Sequence, residues 1–270
     1  MYFPQWSPNK RWGDMMKLCF SNLFCMDKSA AELNELCSKF GVLGVELRTD
    51  NAGNFPYSDD LNIVDIGTGV CLKGYNPELI NDAKCILDKI KDTNIKGIRV
   101  FLGNFAQKFD AKLEELDHSG IVMALRELCD YTKKEIWVET HNEYATGKVL
   151  KALISEVKRD NLKIIWDIVH PIEDGEGYNE TFNLIGNYVA HVHIKDAVPH
   201  EDKIWHDYEY KRLGDGILPI KEIVTLLTEN GYDGYFSLEW ESLWRKELSE
   251  LKLSDDEILG SFVEYMKNIK

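Results

Sequence analysis

The chain alternates short apolar runs with helical patterns along its length, and this alternation constrains its fold more than any other feature. Runs typical of strands lie at 16–24, 44–49, within 61–72, and at 97–102, 135–141, 163–168, 188–195 and 235–240. Segments with helical spacing of apolar residues separate them. Eight strand-helix units of roughly thirty residues each favour a (β/α)8 TIM barrel over the alternative, an open doubly wound α/β sheet. We therefore predict a single α/β barrel domain over residues 1–270.

Capping signals predict where several helices begin and end. Ser29 with Glu32, and Ser254 with Glu257, have the spacing of a capping box, so a helix should follow each serine. Gly41 is expected to end the first helix, since glycine readily adopts the left-handed conformation of a helix end. The remaining helices are expected at 77–93, within 113–134, and at 146–157, 178–185 and 220–230. Residues 1–14 should be irregular, and a longer loop should follow residue 195.

Composition excludes some classes of protein. The 270 residues are 44% hydrophobic and 29% charged, which is typical of a globular domain with a large core. A formal net charge of −14 argues against nucleic acid and anionic membranes as partners, because phosphate contacts need a basic surface. We expect a cytoplasmic protein, since the sequence has neither a signal peptide nor a membrane-length apolar run. Its six cysteines, none in a CxxC pair, are expected to be reduced core residues. A homo-oligomer is compatible with this composition.

Acids and imidazoles lie at the ends of the last four apolar runs, where a core strand has no packing reason to carry them. Glu139 lies near the end of the fifth run, Asp167 of the sixth, His193 of the seventh and Glu239 of the eighth. The carboxyl ends of barrel strands meet at one mouth, so these four side chains should surround one point. His191, two residues before His193, should lie deeper on the same face, as a core residue or as a partner of the ligands.

Three carboxylates and one imidazole form a ligand set for a divalent metal. Oxygen and nitrogen ligands without thiolate favour Mn²⁺, while Mg²⁺, Co²⁺ and Zn²⁺ fit the same set. Each residue taken alone has a simpler interpretation: a glutamate at a strand end is usually solvated, and a strand histidine is usually satisfied within the core. The joint pattern therefore carries the prediction. Glu46 and Arg99, on earlier strands, are expected either to form a buried pair beneath this site or to lie at the rim.

Five short motifs resemble the xylose isomerase-like barrel superfamily, and especially its sugar isomerase and keto-sugar 3-epimerase branch. They are VETH at 138–141, WDIVH at 166–170, HVHIKD at 191–196, LGDG at 213–216 and SLEW at 237–240. The resemblance covers essentially the whole chain and implies that Glu139, Asp167, His193 and Glu239 bind the metal. It also implies that His170 contacts a substrate oxygen. Pro199 stands where the keto-sugar epimerases have an arginine, and Lys195 is the candidate replacement.

The resemblance implies a carbohydrate substrate, and the predicted geometry suits proton transfer on such a substrate. Glu139 and Glu239 should approach a bound sugar from opposite sides, so one glutamate can remove a proton to form an enediolate. Protonation on the other face gives an epimerase, protonation of the adjacent carbon gives an isomerase, and loss of a β-hydroxyl gives a dehydratase. His141 shares the parity of Glu139 and either orients it, contacts substrate or lies exposed at a loop edge.

Two further classes compete with an isomerase. An apurinic endonuclease of the same superfamily would need histidine ligands on early strands, and this chain has no histidine before His118. A barrel that binds a sugar without turnover would not need two glutamates paired across the site. We therefore expect a sugar isomerase or epimerase, with a dehydratase as the alternative.

Overall fold

The computed structural model describes residues 16–50, 52–104, 115–201 and 208–269, and it contains a closed barrel of eight parallel strands. The barrel strands are β1 (Lys17–Ser21), β2 (Gly44–Arg48), β3 (Ile63–Leu72), β4 (Gly97–Leu102), β5 (Glu135–Glu139), β6 (Leu162–Asp167), β7 (Val189–Ile194) and β10 (Tyr235–Leu238). β1 closes the barrel by pairing with β10, where Phe20 lies opposite Leu238. The predicted (β/α)8 barrel is confirmed. Its extension over all of 1–270, and the irregular start, stay predictions because residues 1–15 lie outside the described ranges.

Helices separate most of the barrel strands, as the alternation predicts, but the described residues between β2 and β3 contain no helix. The helices are α1 (Ala30–Phe40), α2 (Pro77–Ile90), α3 (His118–Tyr131), α4 (Gly147–Val157), α5 (Val169–Glu173), α6 (Tyr178–Ile185), α7 (Ile220–Glu229), α8 (Lys246–Ser249) and α9 (Asp255–Lys267). Both predicted capping boxes are present, at Ser29 and at Ser254. Gly41 ends α1 with a φ of 68°, in the left-handed region. Leu33, Leu36 and Cys37 of α1 are buried, as their helical spacing predicts.

The segment after β7 contains more structure than the predicted loop. β8 (Asp196–Pro199) and β9 (Tyr208–Lys211) form an antiparallel pair outside the barrel. The Asp196 carboxylate accepts hydrogen bonds from the backbone N–H groups of Gly214 at 2.9 Å and Gly216 at 3.0 Å, so the LGDG motif wraps around it. A β-carbon at Gly216 would lie 2.0 Å from Asp196 Oδ1, which explains the glycine. The pair was not predicted because four-residue strands carry too little periodicity.

The cysteines are all free, but they are not all core residues. Cys19, Cys25, Cys37 and Cys129 are buried, and Cys71 is partly buried. Cys85, on the solvent side of α2, is exposed, so the prediction of a core position is wrong there. Among the helices of the described ranges, none combines the length and the apolar character needed to cross a membrane.

Candidate metal centre and active site

Four side chains from the carboxyl ends of neighbouring strands meet at the mouth of the barrel. Glu139 and Asp167 are the last residues of β5 and β6, His193 is the fifth residue of β7, and Glu239 follows β10 directly. All four are at most 4% exposed. Each offers a ligand atom, and these atoms lie within 4.8 Å of one another. The structure thus brings together the four residues that the sequence pattern places around one point.

His193 Nδ1 faces the three carboxylates. It lies 3.2 Å from Glu139 Oε1, 3.2 Å from Glu239 Oε2 and 3.9 Å from Asp167 Oδ2. The other ring nitrogen, Nε2, lies 2.8 Å from Glu46 Oε2. A carboxylate on the second nitrogen of a metal-binding histidine fixes the ring orientation and raises its basicity. Glu46 therefore orients Nδ1 toward the ligand cluster, a contact that sequence reasoning missed.

His191 lies beneath His193 and is fully buried, as its position on the strand predicts. Its Nε2 is 3.4 Å from Glu46 Oε2, and its ring stacks on Trp137 with centroids 5.4 Å apart. Glu46 thus contacts both histidines of the HVH motif. His191 supports the ligand cluster from below.

Arg99 neutralises the glutamates from inside the barrel. Its Nη1 lies 2.6 Å from Glu139 Oε2 and 3.8 Å from Glu239 Oε1, and the guanidinium is fully buried. Burial raises the pKa of the Glu139 carboxyl, but Arg99 lowers it, and the pKa falls to about 2. Arg99 and Glu46 are both fully buried, so the alternative of a position at the rim is wrong, but their direct partners differ: Arg99 bonds Glu139 and Glu46 bonds His193. Both carboxylates remain ionised at neutral pH, since the pKa of Glu239 is also well below its ordinary value.

Lys195 brings a second cation to the mouth. Its Nζ lies 2.7 Å from Asp167 Oδ2, 2.5 Å from Glu239 Oε2 and 2.7 Å from Glu241 Oε1. Burial lowers the pKa of this ammonium, but the surrounding carboxylates, Asp167 first, raise it well above its ordinary value. Glu241 also accepts a hydrogen bond from Arg245 Nε at 3.2 Å. Glu241 was missed, although the spacing SLEWE signals it, since alternate residues of a strand share a side.

The donor set fits a divalent cation. Within the described residues, Asp167 Oδ2 and Glu239 Oε2 are buried and have no hydrogen-bond partner of good geometry, although both lie near the Lys195 ammonium. Buried acceptors without hydrogen bonds are costly unless a cation compensates them. Three carboxylates and one imidazole nitrogen in this cluster supply oxygen and nitrogen ligands suited to such an ion.

His170 directs its Nε2 at the mouth, where that nitrogen lies 3.6 Å from Asp167 Oδ2. Its Nδ1 donates a hydrogen bond to Glu173 Oε2 at 2.9 Å, and its Nε2 is buried without a hydrogen-bond partner in the described part of the chain. Burial lowers the pKa of His170, but Asp167 and Glu173 raise it to about 9, so the ring is cationic at neutral pH. The Nε2–H group is therefore a charged donor directed at the site. Glu173 was missed in the sequence, although it follows His170 by one helical turn.

His141 lies beside His170, with ring centroids 4.4 Å apart. The Phe101 ring also lies against it, at 5.1 Å between centroids. Burial lowers the pKa of His141 to about 4, so this imidazole is neutral at physiological pH. These two neighbouring histidines therefore carry different charges, His170 cationic and His141 neutral.

The fold and the site together define the class of protein. It is a closed (β/α)8 barrel whose candidate metal ligands lie at the carboxyl ends of β5, β6, β7 and β10. A family model described as "Xylose isomerase-like TIM barrel" matches residues 78–257. The chain belongs to that family, and the resemblance seen in the five motifs is confirmed.

Known proteins similar to this chain include epimerases. Fructoselysine 3-epimerase of Escherichia coli O157:H7 is 24% identical over 131 residues, 46% of this chain and 46% of that protein. The chain thus spans about half the length of this curated relative.

Two solved structures share the fold at low sequence identity. The IOLI protein with a bound zinc atom has a TM-score of 0.71 and 21% identity, over 94% of this chain and 99% of the other. D-Allulose 3-epimerase from Methylomonas sp. in complex with D-allulose has a TM-score of 0.69 and 18% identity, over 95% and 98%.

Proposed function

We propose that this protein is a divalent-metal-dependent isomerase or epimerase that acts on a sugar or a sugar-like polyol or keto acid. The observation that carries the proposal is the position of Glu139 and Glu239, whose carboxylates flank His193 Nδ1 at 3.2 Å each. In the order of the barrel, β6 and β7 separate the strands that carry them. The two carboxylates therefore approach the centre from different sides, as proton transfer on two faces of a substrate requires.

Glu139, Asp167, His193 and Glu239 would hold the ion, with Mn²⁺ preferred over Mg²⁺, Co²⁺ or Zn²⁺. A bound ion would supply Lewis acidity that lowers the cost of removing a proton beside a carbonyl and stabilises the enediolate. Glu46 keeps His193 Nδ1 directed at the cluster. The zinc-bound and D-allulose-bound neighbours support a metal and a carbohydrate, respectively, in barrels of this fold.

Glu139 and Glu239 act as the acid-base pair in this mechanism. Both are ionised at neutral pH, so either can accept the proton that leaves the substrate carbon. Arg99 holds Glu139 at 2.6 Å and limits its rotation, because the guanidinium is itself buried. The glutamate on the opposite face would first take a proton from water and then deliver it to that face, which would invert the carbon. Return of the abstracted proton by the first glutamate to the neighbouring carbon would interconvert aldose and ketose.

His170, Lys195 and His141 would bind the substrate. The charged Nε2–H of His170 lacks a protein hydrogen bond within the described residues and can donate to a substrate oxygen. The Lys195 ammonium, 2.5 Å from Glu239 Oε2, can stabilise an oxyanion beside that glutamate. His141 is neutral and lies against His170, and its Nδ1 lies 2.7 Å from Asn142 Oδ1, so its ring would contact the substrate without adding charge.

The test is a panel of ketoses, aldoses, inososes and hydroxypyruvate in deuterated water with added Mn²⁺. We expect deuterium to enter the carbon beside the carbonyl of at least one compound, together with an epimer or an aldose-ketose product. A dehydrated product would assign the chain to the dehydratase alternative. Absence of exchange across the panel, with metal bound, would contradict the proposal.

A further inference from the structure

Arg48 is a cation at the mouth without an acidic partner among the described residues. It ends β2 two residues after Glu46, so the two side chains share one side of the strand. The neighbouring cations are neutralised: Arg99 by Glu139, Lys195 by three carboxylates, and Arg245 by Glu241. The Arg48 guanidinium makes no ion pair within the described parts of the chain, so its charge is available to a ligand.

The Arg48 side chain is held in place by its surroundings. Its Cζ lies 5.8 Å from the centre of the Phe101 ring and 5.9 Å from that of Trp244. Gly67 leaves room for it, since a β-carbon there would lie 3.0 Å from Arg48 Cδ. Contacts with two aromatic rings restrain a guanidinium without using its N–H donors. Arg48 is therefore preorganised, and the N–H donors of its guanidinium make no hydrogen bond within the ranges that the structure describes.

The same aromatic ring connects Arg48 to the candidate catalytic groups. Phe101 packs 3.8 Å from Arg99 Cζ, measured to the ring centre, and 5.1 Å from the His141 ring. Arg99 in turn bonds Glu139. Arg48 thus lies one ring away from the acid-base site, at the rim where Trp244 is 57% exposed. A ligand at the centre can reach it with its distal end.

We infer that Arg48 binds an anionic group of the substrate, a phosphate or a carboxylate at the end remote from the reacting carbons. The inference rests on the proposed function, because it takes the mouth as the sugar site. A guanidinium offers parallel N–H donors that match two oxygens of either group. Arg48 is a specificity-determining residue in this account, and an acidic sugar is the substrate class.

Calorimetric titration of the Mn²⁺-loaded protein tests the inference with D-fructose, D-fructose 6-phosphate and D-fructuronate, and with inorganic phosphate and acetate as minimal probes. We expect one of the two anionic sugars, the one whose phosphate or carboxylate Arg48 binds, to bind about tenfold or more tightly than D-fructose. Arg48→Gln should remove that preference. Comparison of the phosphate and carboxylate arms identifies the group that Arg48 binds.

The control is Lys91→Gln, an identical loss of charge at the C-terminal end of α2, on an exposed residue away from the mouth. It should bind every probe as the wild type does. Arg48→Lys keeps the charge but not the paired donors, so it should bind the anionic sugar with intermediate affinity, and it serves as the test if Arg48→Gln does not fold.

Two results would overturn the inference: no preference for an anionic sugar in the wild type, or a preference that persists in Arg48→Gln. Calorimetry measures binding and does not depend on turnover. A preference lost in Arg48→Gln, with no proton exchange on any sugar, would remove the proposed function and leave the anion subsite. Proton exchange on neutral sugars, without a preference for an anionic sugar, would support the proposed function and remove the anion subsite.

Discussion

Replacing Arg99 with methionine tests the claim that this arginine stabilises the buried glutamates. Methionine keeps much of the side-chain length but leaves Glu139 without the guanidinium 2.6 Å away. The pKa of Glu139 is about 2 in the folded protein against an ordinary 4.5. This shift is a net result, because burial and Glu239 raise the pKa while Arg99 and His193 lower it. Breaking a buried ion pair by removing one partner costs about 3 to 5 kcal/mol in general, and we expect a loss of that size for Arg99→Met.

Urea unfolding of chelator-treated protein at pH 7 measures this cost. Arg159→Met is the matched control, since Arg159 pairs with Asp130 at the surface at 2.6 Å, where a pair contributes about 1 kcal/mol or less. Because the folded pKa of Glu139 is lowered, its contribution is present above pH 4.5 and is lost as the pH falls toward 2. The difference between Arg99→Met and wild type should shrink over that range. A loss no larger than that of Arg159→Met at pH 7 would refute the reasoning.

Two other predictions concern the metal and His170. Mn²⁺ at a hundredfold excess over its dissociation constant should stabilise the wild type by about 2.7 kcal/mol relative to chelator, measured as a rise in Tm of about 5 to 10 °C. An equal rise in the Asp167→Ala, His193→Ala double variant would exclude these residues as the metal site. The His170 ring protons in metal-free protein should titrate by NMR with a pKa near 9. Because Asp167 and Glu173 raise that pKa above its ordinary 6.5, the stabilisation of the fold by the charged ring is complete below pH 6.5 and is lost as the pH rises through 9. A midpoint at or below 6.5 would contradict the interaction of the ring with these two carboxylates.

The fold and the four metal-type ligands could be predicted because they depend on local periodicity. The parity of a strand determines which side chains face the barrel, so Glu139, Asp167, His193 and Glu239 could be placed at one mouth from their positions in the runs. The capping boxes at Ser29 and Ser254 were likewise local signals, with both members three residues apart.

The contacts around those ligands could not be predicted, because they join strands far apart in the sequence. Arg99 faces the barrel interior, as its parity requires, but whether it bonds Glu46 or Glu139 depends on rotamers that only the assembled barrel fixes. Glu46 and His193 are 147 residues apart and meet only because β2 and β7 both line the interior. The aromatic contacts of Arg48 have the same origin.

The most direct test of the proposed mechanism is exchange of the substrate proton with solvent deuterium in Glu139→Gln and Glu239→Gln, beside Glu135→Gln as a control. Glu135 starts the strand that Glu139 ends, so it lies at the opposite edge of the barrel. Glutamine keeps the size of the side chain but cannot accept the proton. We predict that each mouth variant loses about 10²- to 10⁴-fold in exchange rate, while the control exchanges normally. Near-wild-type exchange in both mouth variants, with metal bound, would contradict the account.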